Sequence, residues 1–147
     1  MNISDFLSPT NVLLGVSVSD KARLLHQLST HAANELGLDP NHVSEAIATR
    51  EALGSTGVGN GVALPHARVS NLERPFGLLA RLQHGIDFAA IDDQPVDIVF
   101  LLLIPEEAKG TQLNALACIA RKLRDPAALQ DVRRAPDRES LFEAITA

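Results

Sequence analysis

The ten residues Val96 to Pro105, VDIVFLLLIP, carry one charged side chain and no turn former before the closing proline. A run of this length falls far short of the ~20 apolar residues of a membrane-spanning helix. It suits a strand buried on both faces, and such a strand belongs at the centre of a sheet with helices packed on either side. The rest of the chain is organised around that constraint. NVLLGV near the N-terminus, VALPH and FGLLARL read as further strands, and DDQP reads as the turn leading into the central one.

Between the strands the apolar spacing changes to that of helices. Ser19 is expected to cap a helix whose Leu25, Leu28, Ala32 and Leu36 share one face, with Gly37 ending it. Asp39 followed by Pro40 opens a second, with Val43 and Ile47 inward and Gly54 beyond its end. After Pro105, Leu113, Leu116, Ala117, Ala120 and Leu123 predict a helix packed on the sheet and stopped at RDP, and Asp137 caps a short last one. Strands and helices intermix throughout, without repeats, low-complexity tracts or linkers. The expected fold is α/β: a mixed sheet of about five strands between helices, one domain over residues 1–147. A chain of 147 residues buries roughly 70% of its unfolded surface, enough for one core without staples.

Charge and cysteine content narrow the function classes. Thirteen Lys plus Arg against eighteen Asp plus Glu give a formal charge of -5, the wrong sign for gripping a phosphate backbone, so nucleic acid is not an expected partner. The single Cys118 can form neither an internal disulfide nor a thiolate cage and fits a reducing compartment. With no basic, apolar leader in MNISDFLSPTN, the expectation is a cytoplasmic protein without membrane insertion.

Gly54 to Arg68, GSTGVGNGVALPHAR, is the segment that suggests chemistry, with four glycines within eight positions. Gly57, Gly59 and Gly61 follow a helix and precede a strand in a G-x-G-x-G spacing. That is neither the dinucleotide fingerprint nor a phosphate loop, and no nucleophile elbow occurs in the chain. Inward-turned amides of these glycines with the hydroxyls of Ser55 and Thr56 would suit a phosphate, while a glycine-rich surface turn accounts for the same residues. His66 follows the rigid Pro65, which fixes where its imidazole points. His26 and His31, five apart, lack the i, i+4 spacing of a helical metal pair. His42, at a helix start, and His84, in a turn, read as solvated, and no metal or cofactor is expected. An imidazole whose other nitrogen is held by a hydrogen bond is a nucleophile, and a phosphoryl group is a suitable target. Arg50 and Arg68 are the nearby cations for its oxygens, although an ordinary solvated charge describes each of them as well.

The stretch TREALGSTGVGNGVALPHAR resembles the enzyme IIA components of the phosphoenolpyruvate-dependent phosphotransferase system, in the fructose/mannitol-type superfamily. Together with FAAIDDQPVDIVFLLLIPEE and LNALACIARKLRD, in that order, it is most similar to the nitrogen-regulatory IIA group, over nearly the whole chain. The resemblance implies a mixed sheet flanked by helices and a histidine that accepts a phosphoryl group from a phosphohistidine carrier protein. That histidine is His66, Arg50 matches the arginine before the glycines, and Ser55 and Thr56 match the hydroxyl pair beside the ring. Where relatives carry a second histidine, at the start of the helix after the LLIP strand, this chain has Gln112. Its amide can hold a ring nitrogen or a phosphate oxygen but bears no charge. Ala67 stands where many relatives have glycine.

Three functions follow as expectations. The first is a regulatory phosphocarrier whose phosphorylation state selects its targets, such as potassium-transport or sensor-kinase proteins, through a glycine-lined apolar surface of Val58, Val62 and Leu64. The second is a sugar-specific IIA that passes phosphate to a IIB domain, which a chain without an attached carrier domain disfavours. The third is an interaction module in which Gln112 marks lost transfer, against which the intact His66 segment argues.

Overall fold

The computed structural model describes Met1–Ala147, apart from the side chain of Thr111. Six strands form one mixed sheet: β1 (Val12–Val16), β2 (Gly57–Gly59), β3 (Val62–Ala63), β4 (His66–Val69), β5 (Phe76–Ile86) and β6 (Val96–Pro105). The order is β1-β5-β6-β3-β2, with β4 also on β6. β6 is central, as its composition predicts. Val99, Leu101 and Leu103 enter the core on one face, and Ile98, Phe100, Leu102 and Ile104 enter the core on the other. Each fully buried leucine of this strand stabilises the fold by about 2–3 kcal/mol.

Five helices cover the two faces: α1 (Lys21–Leu36), α2 (Pro40–Ala52), α3 (Ala115–Arg124), α4 (Pro126–Arg134) and α5 (Arg138–Thr146). The first two pack on one face and the last three on the other. α1 is capped by Asp20, whose carboxylate accepts from the Arg23 N–H, one residue after the expected Ser19, and it ends at Gly37. α2 starts on the Asp39–Pro40 pair and buries Val43 and Ile47 as anticipated.

The departures have local causes. The sheet has six strands rather than about five, because Asn60 and Gly61, both at positive φ, fold Gly57–Gly59 back on Val62–Ala63 as a two-residue hairpin. VALPH is split: β3 pairs Val62 with Ile98, Leu64 and Pro65 interrupt it, and β4 resumes with His66 opposite Leu102. His66 therefore opens a strand rather than closing one. α3 begins only at Ala115, after a 3-10 turn over Gly110–Asn114, and buries Ala115, Ile119 and Leu123 while Leu113 and Ala117 face solvent. RDP ends α3 but also starts α4, since Asp125 caps it and Pro126 takes its first position. His84 lies in β5, not in a turn.

A candidate phosphoryl-acceptor cleft at His66

β4 is bonded to β6 along one side only, so its outer edge is free at the level of His66. α2 lies beside that edge. His42, Glu45, Ala46, Thr49, Arg50 and Leu53 recur along α2 at spacings of three and four, and so form a single stripe. This stripe and His66, Ala67 and Arg68 line a shallow, open cleft of about 560 Å³.

The half-buried His66 ring is oriented from within its own segment. Its Nδ1 stands 2.8 Å from the carbonyl oxygen of Leu64. A carbonyl only accepts, so Nδ1 carries the proton and donates it, and Nε2 is left with its lone pair. Pro65 between the two residues has no N–H and restricts the chain to an extended path, which holds the carbonyl and the ring in register. Its own carbonyl accepts from the Leu102 N–H at 2.9 Å, tying the interruption to the central strand.

The two arginines expected near the histidine both line the cleft. Arg50 Nη1 donates to the Gly54 carbonyl at 2.9 Å, and Arg68 Nη1 donates to the Glu106 carbonyl at 3.0 Å. Neither is in an ion pair, so each guanidinium keeps both its charge and most of its five donors for an anion. Among the described residues, Glu45 is the one carboxylate on the cleft wall.

The remaining expected residues are put to other uses. Ser55 Oγ donates to the Phe88 carbonyl at 2.8 Å and accepts from the Gly57 N–H. Thr56 is buried, and its hydroxyl donates to Glu51, which pairs with Lys21 at 2.9 Å. Gly57 packs so closely on Ala90 that a Cβ would sit 2.8 Å from the Ala90 Cα. Gly59 and Gly61 shape the hairpin. They lie near Val62, whose partner on β6 is four residues from that of His66, about 13 Å along a strand. None of these five residues lines the cleft. Gln112 donates its amide to the Glu73 carbonyl at 3.1 Å and so fastens the loop between β4 and β5, rather than reaching the cleft.

Val58, Val62 and Leu64 are not the apolar surface around His66. They line a separate pocket, with Ala120 and Leu123 of α3. The apolar rim of the cleft is instead Leu53, 83% exposed. In the sequence His42 reads as merely solvated, and Glu45 and Thr49 carry no signal of their own. All three share the helical spacing of Arg50, but using it needs the knowledge that this face of α2 opposes His66. Of the other histidines, His31 is half-buried and 3.2 Å from Asn11 Oδ1, and so is not simply solvated.

The helix-covered mixed sheet is that of a phosphotransferase-system IIA-type protein. The family model described as "Phosphoenolpyruvate-dependent sugar phosphotransferase system, EIIA 2" matches residues 5–147, and the chain belongs to that family. It is 43% identical to the nitrogen regulatory protein of Bradyrhizobium diazoefficiens over 145 residues, 99% of this chain and 95% of that one. It is 42% identical to the nitrogen regulatory protein of Escherichia coli (strain K12), over 89% of this chain and 81% of that one. The structure superposes on the nitrogen regulatory protein IIA-Ntr of Neisseria meningitidis with a TM-score of 0.92 at 31% identity, covering 98% and 99% of the two chains. No helix of the described residues is long and apolar enough to cross a membrane.

Proposed function

We propose that this chain is a regulatory phosphocarrier of a nitrogen-related phosphotransferase system, with His66 as the acceptor. The observation that carries the reading is the Nδ1 contact to the Leu64 carbonyl, which leaves Nε2 as the nucleophilic nitrogen of a ring lining a cleft with two unpaired arginines. In the transfer, the N–P bond of a phosphohistidine carrier protein breaks and the Nε2–P bond forms. The carrier nitrogen keeps the electron pair of the broken bond. The Nδ1 proton stays in place, because the Leu64 carbonyl stabilises the positive ring that attack creates. Arg50 and Arg68 match the charge spread over the equatorial phosphoryl oxygens.

The regulatory assignment is supported by the names of the relatives. A phosphoryl group adds roughly one to two negative charges at a cleft rimmed by the exposed Leu53. A target that packs on Leu53 would then bury an unpaired dianion, which is costly. Partners such as potassium-transport or sensor-kinase proteins would on this account bind the unphosphorylated form, in the cytoplasm. Onward transfer to a IIB domain is the alternative. A structure of the mannitol enzyme IIA of Escherichia coli in complex with phosphorylated enzyme IIB shares the fold at TM-score 0.76, but at 16% identity it speaks to fold alone.

The test combines phosphoenolpyruvate, enzyme I and either a nitrogen-branch or a general carrier with wild type and His66→Ala, read by intact mass and acid lability. Wild type should gain one acid-labile phosphate and the variant none. A parallel pull-down with wild type, His66→Ala and His66→Glu should give different partner sets. Identical sets would favour onward transfer over regulation, and phosphate on the His66→Ala protein would remove the acceptor assignment.

A further inference from the structure

The cleft in front of His66 contains a second imidazole. His42 is the third residue of α2 and the first of the stripe that walls the cleft. Its Nε2 lies 2.9 Å from the hydroxyl of Ser70, one residue past the end of β4, so the ring bridges from the helix towards the strand that carries His66. A hydroxyl both donates and accepts, so this contact is compatible with the neutral and the protonated ring alike. Gln112, by contrast, has its amide committed to the Glu73 carbonyl and can carry no charge.

We propose that His42 is the titratable positive charge of this cleft, giving a hydrogen bond from its protonated ring to a phosphoryl oxygen as the group reaches His66. The inference rests on the reading of His66 as acceptor. The groups facing His42 set how it responds. Glu45, three residues on along α2, and the Asp39 carboxylate at the helix cap are its acidic neighbours. Arg50 on the same stripe, Arg68 across the cleft and the positive end of the α2 dipole are its basic neighbours, and His66 is the other imidazole. An arriving dianion tips this balance towards the imidazolium, because an opposite charge at close range stabilises the protonated ring. Arg50 and Arg68 are charged at every working pH, whereas an imidazole is the kind of side chain that can gain a proton near neutrality. No net proton transfer to the phosphoryl group is required: the carrier N–P bond breaks, the His66 Nε2–P bond forms, and His42 only donates a hydrogen bond.

The test measures the initial rate of phosphoryl uptake from one carrier by wild type, His42→Gln and His42→Arg between pH 6 and pH 8.5, with the site mapped by mass spectrometry. The ratio of wild-type to variant rates cancels what the carrier and His66 contribute to the pH profile. Wild type should exceed His42→Gln by about three- to fivefold at pH 6, near the upper end for one exposed charge pair, and the two should converge within about 1.5-fold at pH 8.5. His42→Arg should stay as fast as wild type at pH 6 and exceed it at pH 8.5. His42 is exposed, so both variants should melt with wild type. A ratio that is flat across the range, or an arginine variant as slow as the glutamine one, overturns the proposal while leaving His66 as acceptor. Wild type that takes up no phosphate overturns both.

Discussion

His66 Nδ1 and the Leu64 carbonyl oxygen are 2.8 Å apart, and this contact between residues two positions apart decides which ring nitrogen would react in the proposed transfer. With the Nδ1 proton held by an acceptor, phosphate is expected on Nε2. Phosphorus and nitrogen NMR of the phosphorylated protein should show a single phosphohistidine of the Nε2 isomer. The Nδ1 isomer would mean that the ring turns over before it reacts.

Arg50 is expected to act through the geometry of its guanidinium as well as its charge. Its contact to the Gly54 carbonyl occupies one N–H and leaves the others for phosphoryl oxygens. Arg50→Lys keeps the charge but loses the planar fork. Loss of a preorganised donor of this kind costs about 10²-fold in rate, so phosphoryl uptake by Arg50→Lys should fall by roughly that factor at unchanged thermal stability. A rate within twofold of wild type would place the guanidinium outside the transfer step.

The hairpin glycines should act on stability rather than on transfer. At Gly61, φ is 78°, and a Cβ would stand 2.8 Å from Asp97 Oδ1 and closer still to the Arg133 guanidinium that pairs with it. Gly61→Val is expected to lose about 2–4 kcal/mol in urea unfolding. Phosphoryl uptake per folded molecule should be unchanged. A variant of normal stability with slow uptake would return these glycines to the phosphate site.

The same hairpin contributes a pH-dependent element. The backbone N–H of Asn60, followed by that of Gln94, holds the Asp92 carboxyl below its ordinary range. A carboxyl lowered on folding contributes stability above its unfolded value, and that contribution is lost as pH falls through the folded one. Asp92→Asn should therefore be less stable than wild type at pH 7, with the deficit shrinking once pH drops below about 4. Urea midpoints at pH 7 and pH 3 give the comparison, and a deficit of equal size at both would show that the contact does not depend on charge.

Much of the fold was legible in the chain because the signals are local. VDIVFLLLIP fixes a strand buried on both faces through its composition alone, and the Asp39–Pro40 pair starts a helix through atoms within one turn of each other. The identical Asp125–Pro126 signal was read as a stop, since a proline after a helix ends it whether or not the next residue starts another. The Asn60–Gly61 hairpin was likewise present in the sequence, where a glycine-rich surface turn accounts for the same residues as an anion cradle does.

For the site, the sequence by itself singled out His66 as the candidate acceptor and Arg50 and Arg68 as candidate cations, because a proline before a histidine and arginines close in the chain restrict where those groups lie. Only the tertiary structure decided what surrounds them. Ser55 and Thr56 meet Phe88 and Glu51, and Gln112 meets Glu73, because buried or half-buried hydroxyls and amides take whichever partner packing brings within reach. His42 enters the cleft because α2 lies along the free edge of β4, a contact between residues as far apart in the chain as His42 and His66. Such a contact is set by how the two cores fill on either side of β6, and no spacing within α2 or β4 encodes it.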